Sequence, residues 1–336
     1  MKPTDFAVQL SNFLGTYLPS HRDLSVNTIQ AYRDTFVLFL RFFRDVKKTP
    51  IERLRIEQID APALIEFLEY LEKKRRCTAQ TRNQRLAAFH SFFRYLQTEE
   101  PERIAQCQRI LSIPFKRHAH PSLIYLTAQQ LQTILSQPDL TTRSGRRDAM
   151  LVSLLYDTGA RVQELIDLCA GHVRLDAPAQ IKLMGKGRKE RPVPLMKATA
   201  ELLKEYMREN GLDRPDNTGK PLFSNRCGGK LSRWGVRHIL TKYVQQARKI
   251  RPGLPPGISP HSLRHSKAMH LLQSGTPLII IRDFLGHVDV KTTEIYARVD
   301  IEMKRKALEK ASDKVPSPSF PTWKKDQNLL DWLCSL

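Results

Sequence analysis

Ser259-Pro260-His261-Ser262-Leu263-Arg264-His265 has the form of a helix start. Ser259 is a good N-cap, and Pro260 suits the first helical position, where a missing N–H costs nothing. His261 and Arg264 then stand three residues apart, on one side of the first turn. A helix N-terminus offers unpaired N–H groups and partial positive charge, which suits a phosphate. An arginine fork and an imidazole at the same spot add a phosphate clamp and a titratable partner. Alone the pattern is weak, because helix surfaces often carry His and Arg. His261, His265 and His270 also lie close enough in sequence to suggest a metal set. Zinc is disfavoured there, since no cysteine or carboxylate lies nearby in sequence and Arg264 would repel a cation. His265 and His270 read instead as core or surface histidines.

Upstream, Asp157-Thr158-Gly159-Ala160-Arg161-Val162-Gln163-Glu164-Leu165 ends one helix and begins another around Gly159. Arg161 lies near the new start, with Glu164 three residues on. The bland reading is a local Arg–Glu pair, worth little when exposed. The functional one has Glu164 turning Arg161 towards an anion. Between these stretches, Gln180 to Met184 and Arg191 to Leu195 flank the turn Gly185-Lys186-Gly187-Arg188-Lys189-Glu190. Short β-prone runs around a glycine-bearing polar turn predict a hairpin. Downstream, Asp283-Phe284-Leu285-Gly286-His287 reads as a helix end with Gly286 as its cap, leaving His287 just beyond. Tyr296 follows in Thr292-Thr293-Glu294-Ile295-Tyr296, a stretch without a continuous apolar face.

Farther out, the first third reads as helices. Ile29, Tyr32, Phe36, Leu40 and Phe43 recur at helical spacing over Val26 to Phe43. Ala61 to Leu71 and Thr78 to Leu96 behave likewise. Ile113-Pro114-Phe115-Lys116-Arg117-His118-Ala119-His120-Pro121 brackets a basic run with prolines, which suit no helix interior. It reads as an interdomain linker lying on nucleic acid, or as an ordinary surface loop. Thr127-Ala128-Gln129-Gln130 has capping-box form, and Arg146 to Thr158 reads as a buried helix. The tail, with Pro316, Pro318 and Pro321 before Leu329-Leu330-Asp331-Trp332-Leu333, reads as a connector ending in a docking helix.

The chain has 336 residues and a formal net charge of +21, which favours two domains and a polyanionic partner, nucleic acid or an anionic membrane surface. No run of about 18 apolar residues and no signal-peptide core are present. The scattered cysteines favour a reducing compartment, so a soluble, cytoplasmic protein is expected.

Taken together, TGARVQEL, GKGRKERPVPL, HSLRH, LGH and TTEIYARV resemble, in order and spacing, the tyrosine recombinase family of phage integrases and Xer-like proteins. The match runs from about Leu126 to Lys310. The resemblance implies a mainly α fold with a small β-sheet. Residues 1–112 would form a helical, SAM-like DNA-clamp domain, 113–125 a linker, 126–312 a mixed α+β catalytic domain and 313–336 a C-terminal tail. It further implies that Arg161 and Arg264 bind the scissile phosphate and that Lys186 protonates the leaving 5′ oxygen. His261 would serve in proton transfer, His287 would hydrogen-bond the phosphate, and Tyr296 would be the nucleophile. No cofactor is implied. Ala160 and Ser266-Lys267 depart from Leu and Thr-Phe in many relatives, which leans towards recombinases of mobile elements.

The implied partner is double-stranded DNA with a specific core site, bound by a homotetramer with or without a second recombinase, and no membrane. Candidate DNA contacts are Thr78, Gln80, Arg82 and Arg85 at a helix start, with Lys116 and Arg117 in the linker. Either the helix Ile301 to Ala311 or the Leu329 to Leu333 patch would dock on a neighbouring protomer. Competing readings are Xer-like dimer resolution, a type IB topoisomerase and a non-enzymatic DNA-binding module.

Overall fold

The computed structural model describes residues 2–117, 123–185, 189–286 and 291–299, with Arg305, Cys334 and Ser335. The chain divides into two compact units, Met1–Pro121 and Ser122–Leu336. Lys186, His287, linker residues 118–122 and the Leu329–Leu333 patch lie outside the described residues, as does the expected helix over 301–311 except for Arg305.

The first unit contains α1 (Asp5–Asn12), a π-helix (Phe13–His21), α2 (Val26–Asp45), α3 (Ala61–Lys73), α4 (Ala79–Glu99) and α5 (Ile104–Leu111). The expected helices stand, each starting at a side-chain cap. Ser25, Asp60 and Thr78 accept the backbone N–H of Thr28, Ala63 and Thr81. The helical run before Val26 was not anticipated. Phe13 and Leu18, both fully buried, are five residues apart, and the wide i→i+5 turn accommodates that spacing. Phenylalanine rings fill the core. Phe89 packs at 5.0 Å on Phe36, 4.9 Å on Phe39 and 5.9 Å on Phe67. Phe89→Ala should therefore cost roughly 3–5 kcal/mol of this unit's stability, read as an earlier urea transition of the full chain. A shift worth under about 1 kcal/mol would contradict this close packing.

The second unit begins with α6 (Ala128–Leu135), α7 (Arg143–Thr158) and α8 (Val162–Ile166). The expected capping box opens α6, with Thr127 and Gln130 exchanging bonds of 3.0 and 3.3 Å. Strands β1 (Val173–Arg174), β2 (Gln180–Met184) and β3 (Glu190–Pro194) form an antiparallel sheet in the order β1-β2-β3. The hairpin is the expected one; two-residue β1 was too short to leave a sequence signal. Register pairs Ile181 with Val193 and Leu183 with Arg191. Ile181, Leu183 and Val193 are buried. Strand alternation puts Arg191 on that same inward face, where an apolar residue would be usual. Then follow α9 (Lys197–Glu209), α10 (Arg233–Ile250), α11 (Pro260–Gln273), α12 (Leu278–Leu285) and α13 (Lys291–Val299). No helix among the described residues is long and apolar enough to cross a membrane.

Candidate active site

Two helix ends and two helix starts meet at the site. Helix α7 closes on Gly159 (φ +56°) and α12 closes on Gly286 (φ +66°), left-handed caps that glycine adopts without a Cβ penalty. Such ends leave carbonyls without intrahelical donors. Arg264, the fifth residue of α11, supplies them: Nη1 donates to Gly159 O at 2.6 Å and Nη2 to Leu285 O at 2.7 Å. Pro260 heads α11 as expected, but Ser259, at the N-cap position, accepts no backbone N–H on its hydroxyl; its own N–H donates to Ser262 Oγ at 3.2 Å. Arg264 is only 1% exposed. Burial, then the neighbouring Arg161, lowers its pKa to about 10, so it remains a cation at neutral pH.

Arg161 is the residue at which the chain enters α8. Its Nη1 donates to Glu164 Oε1 at 2.7 Å and its Nη2 to Gly286 O at 3.3 Å. Its backbone N–H donates to Glu164 Oε2 at 2.8 Å. The pair is thus more than a local surface contact, because Glu164 is buried and holds the arginine towards the end of α12. Burial works against the Glu164 charge, yet Arg191 and Arg161 together keep its pKa below the usual carboxylate value. Arg161 and Arg264 therefore bond to adjacent carbonyls, those of Gly286 and Leu285. That convergence places two guanidinium groups at one point.

Tyr296 lies in a small apolar cluster with Ala268, Met269, Leu272, Ile281 and Leu285 and is 1% exposed. The sequence showed no apolar face here because the inward residues, Thr293 and Tyr296, both carry hydroxyls. Burial pushes the phenol up to about 12, against the pull of Arg264 and Arg161. Its hydroxyl lies 3.0 Å from His265 Nδ1. In the Nε2–H tautomer, His265 accepts that hydrogen. His265, read from sequence as a core or surface residue, is thus the imidazole on the tyrosine. His261 is exposed, its ring 4.4 Å from that of His265 between centroids. Surrounding protein, then Arg264 and Arg161, holds His261 below its ordinary pKa.

His265 is pushed down from 6.5 to about 4, by burial first and then by His261 and Arg264. Between those values the unfolded chain binds a proton that the folded chain refuses. Stability should therefore be complete above about pH 6.5 and fall as pH drops towards 4, by on the order of 1 kcal/mol from this half-buried group. Thermal midpoints at pH 7.5, 6 and 5 test this. His265→Gln should flatten the slope; an unchanged slope would assign the acid sensitivity elsewhere.

The first-unit candidates divide by placement. Thr78 and Gln80 are exposed at the α4 start. Arg82 is buried, with Nη1 donating to Pro114 O at 3.0 Å, so it ties α4 to the following chain and does not face solvent. Arg85 Nη1 donates to Ala31 O and Thr35 Oγ1, pinning α4 to α2. Lys116 and Arg117 are exposed, and Lys116 reaches Glu72 at 2.6 Å. Among the described residues no group of His, Cys, Asp and Glu is arranged to hold a metal ion.

The pattern of the Phage integrase family matches residues 125–303, and that of the phage integrase N-terminal SAM-like domain matches residues 12–100. The protein y4rC of Sinorhizobium fredii, which carries an integrase/recombinase name, is 38% identical over 336 residues, covering 100% of this chain and 99% of that protein. The tyrosine recombinase XerC of Herpetosiphon aurantiacus is 36% identical, covering 87% of this chain and 90% of its own. Among solved structures, XerH recombinase bound to palindromic difH in a post-cleavage complex gives a TM-score of 0.66 at 24% identity, covering 86% of this chain and 81% of that one. The Tn1549 transposon integrase with transposon right-end DNA gives 0.66 at 15% identity, covering 89% and 98%. Those two structures speak for the fold. The sequence relatives and the family match go further: this chain belongs to the phage integrase family of tyrosine recombinases, enzymes of site-specific recombination that cleave and rejoin DNA.

Proposed function

We propose that the chain exchanges strands between two duplexes through a 3′-phosphotyrosine at Tyr296 and a Holliday junction. The observation that carries this reading is the convergence of Arg161 and Arg264 beside the buried Tyr296. A phosphodiester under attack gathers negative charge, and pre-set guanidinium groups stabilise it without rearranging. The Tyr296 oxygen bonds to phosphorus as the bond to the 5′ oxygen breaks. The phenolic proton leaves by way of His261, and Lys186 delivers one to the departing 5′ oxygen. His287 hydrogen-bonds the phosphate. The phosphotyrosine conserves the energy of the broken linkage, so rejoining needs no nucleotide cofactor. A phenol raised by burial against His265 is a poor nucleophile, so in this reading the hydroxyl needs a neighbouring base or cation when DNA binds.

The partner in this reading is double-stranded DNA with a core site, which the net charge of +21 favours. Thr78 and Gln80, exposed on α4, are the first-unit candidates with side chains open to a groove, and Lys116 and Arg117 suit phosphates. A homotetramer carries out exchange, with or without a second recombinase. Deleting everything after Val315 should weaken synapsis about tenfold or more and spare single-site binding, measured by native gels with one and two sites. Undiminished synapsis would remove the terminal patch from the assembly.

The biological setting proposed is a transposon or other mobile element, supported by Ala160 and Ser266-Lys267 and by the integrase/recombinase name of the S. fredii relative. Dimer resolution is the second reading, favoured by identity to XerC. The central test is a nicked suicide substrate from native flanking DNA. Digestion of the trapped complex should yield a phosphotyrosyl peptide containing Tyr296. A peptide carrying another residue would displace the nucleophile assignment, and supercoil relaxation without transfer between duplexes would favour a topoisomerase.

A further inference from the structure

Glu164 is saturated. Its Oε1 accepts from Arg161 Nη1 at 2.7 Å and Arg191 Nη1 at 3.0 Å. Its Oε2 accepts from the Arg161 backbone N–H at 2.8 Å and Arg191 Nη2 at 2.9 Å. One carboxylate therefore serves two guanidinium groups. Side-chain exposure separates them: Glu164 is 4% exposed, Arg191 13% and Arg161 39%. The cation with its fork laid across the carboxylate is the hidden one, and the cation facing outward is the one assigned to the phosphate.

The charge count gives this arrangement a purpose. Glu164 with Arg161 alone would be a closed, neutral pair, and a phosphate would compete with a buried carboxylate for the same guanidinium. With Arg191 added, the group carries one net positive charge, and Arg161 is where it meets solvent. A bidentate arginine–carboxylate pair is also the more rigid of the two contacts.

Arg191 touches more of the site than Glu164. Its Nε donates to Phe284 O at 3.3 Å, beside the end of α12. A Cβ on Gly286 would stand 2.9 Å from Arg191 Nη1, so the guanidinium lies hard against the residue preceding His287. On the other side, a Cβ on Gly185 would stand 3.8 Å from Nη1, so Arg191 also neighbours the residue preceding Lys186. Strand β3 thus projects one inward arginine against Gly185 and Gly286, beside the Glu164 that also holds Arg161. A purely structural sheet position would be filled by an apolar side chain at lower desolvation cost.

We propose that Arg191 is a positioning residue of the recombinase, which saturates Glu164 so that the Arg161 charge remains available to the scissile phosphate. This rests on the assignment of Arg161 made above. The test is the single-turnover rate of covalent adduct formation on the nicked substrate, with duplex binding and thermal midpoint measured alongside. Arg191→Met should slow adduct formation about 100-fold, with binding within about twofold. The double variant Glu164→Gln with Arg191→Met removes the competing carboxylate and should recover at least about tenfold of that loss. A merely structural arginine predicts the reverse, a double variant no faster than the single one. Arg191→Lys guards against a Met variant that fails to fold. Lysine keeps a cation without the bidentate fork, so adduct formation should still fall about tenfold.

Arg191→Met or Arg191→Lys at the wild-type rate, or a double variant without recovery, would overturn the proposal while leaving Tyr296 in place. An adduct that persists in Tyr296→Phe would instead overturn the nucleophile assignment, and Arg161→Ala at the wild-type rate would overturn the role of Arg161.

Discussion

Tyr296→Phe should bind duplex DNA as the wild type does and form no covalent adduct. The change deletes one oxygen from a ring that is 1% exposed and packed against Met269, Leu272, Ile281 and Leu285. Packing volume is kept, and what is lost is the hydroxyl with its 3.0 Å contact to His265 Nδ1. The stability change should be small, about 1–2 kcal/mol, because the ring's packing is kept and only hydrogen bonding of the hydroxyl is lost. The chemical change is total, since no other atom of the ring can form a phosphoester. Denaturing gels with the suicide substrate, beside mobility shifts with intact duplex, separate the two effects. Any adduct above background in the variant would mean that another residue attacks.

Arg264→Ala should slow adduct formation by roughly 10³-fold or more, about 4 kcal/mol of transition-state stabilisation. Two losses act together. The guanidinium proposed to bind the phosphate would be gone, and Gly159 O and Leu285 O would lose the donors that tie the ends of α7 and α12 to α11. Arg264→Lys keeps the charge but cannot span both carbonyls with a planar fork, so it should recover only a small part of the rate. Duplex binding should fall far less than cleavage, because most affinity for DNA comes from many phosphate contacts. Single-turnover kinetics and binding isotherms on the same preparation decide the matter. A fall in rate no larger than the fall in affinity would make Arg264 a binding residue only.

Much of this was legible in the sequence because local physics and the fold agree there. Phe36 and Phe43 recur at helical spacing and are buried in α2. Gly159 and Gly286 sit where chains reverse out of helices, and the left-handed φ explains both. The hairpin followed from a glycine-bearing turn between β-prone runs. What stayed hidden depends on partners far along the chain. Arg82 lies on the polar side of a predicted DNA-facing helix start, but its acceptor is the Pro114 carbonyl, and no side-chain pattern reports a carbonyl. His265 meets Tyr296 thirty-one residues later. Arg191 breaks the inward apolar alternation of β3, a signal present in the sequence, yet its meaning needed Glu164, twenty-seven residues upstream. Tyr296 escaped recognition as a core residue because neither it nor Thr293 looks apolar.

The two bonds that Arg264 gives to helix-end carbonyls reach beyond one reaction. Arg264 is needed by the folded chain before any DNA arrives, because two helix ends bond to it, whereas the Tyr296 hydroxyl is one oxygen on a ring whose apolar packing a phenylalanine would keep. Selection therefore grips the two residues unequally. A duplicate released from recombination would give up Tyr296 to phenylalanine almost without penalty, yet would keep Arg264 for as long as it must fold. In a collection of decayed copies the arginine would outlast the activity, and the tyrosine would be the first mark of a silent enzyme.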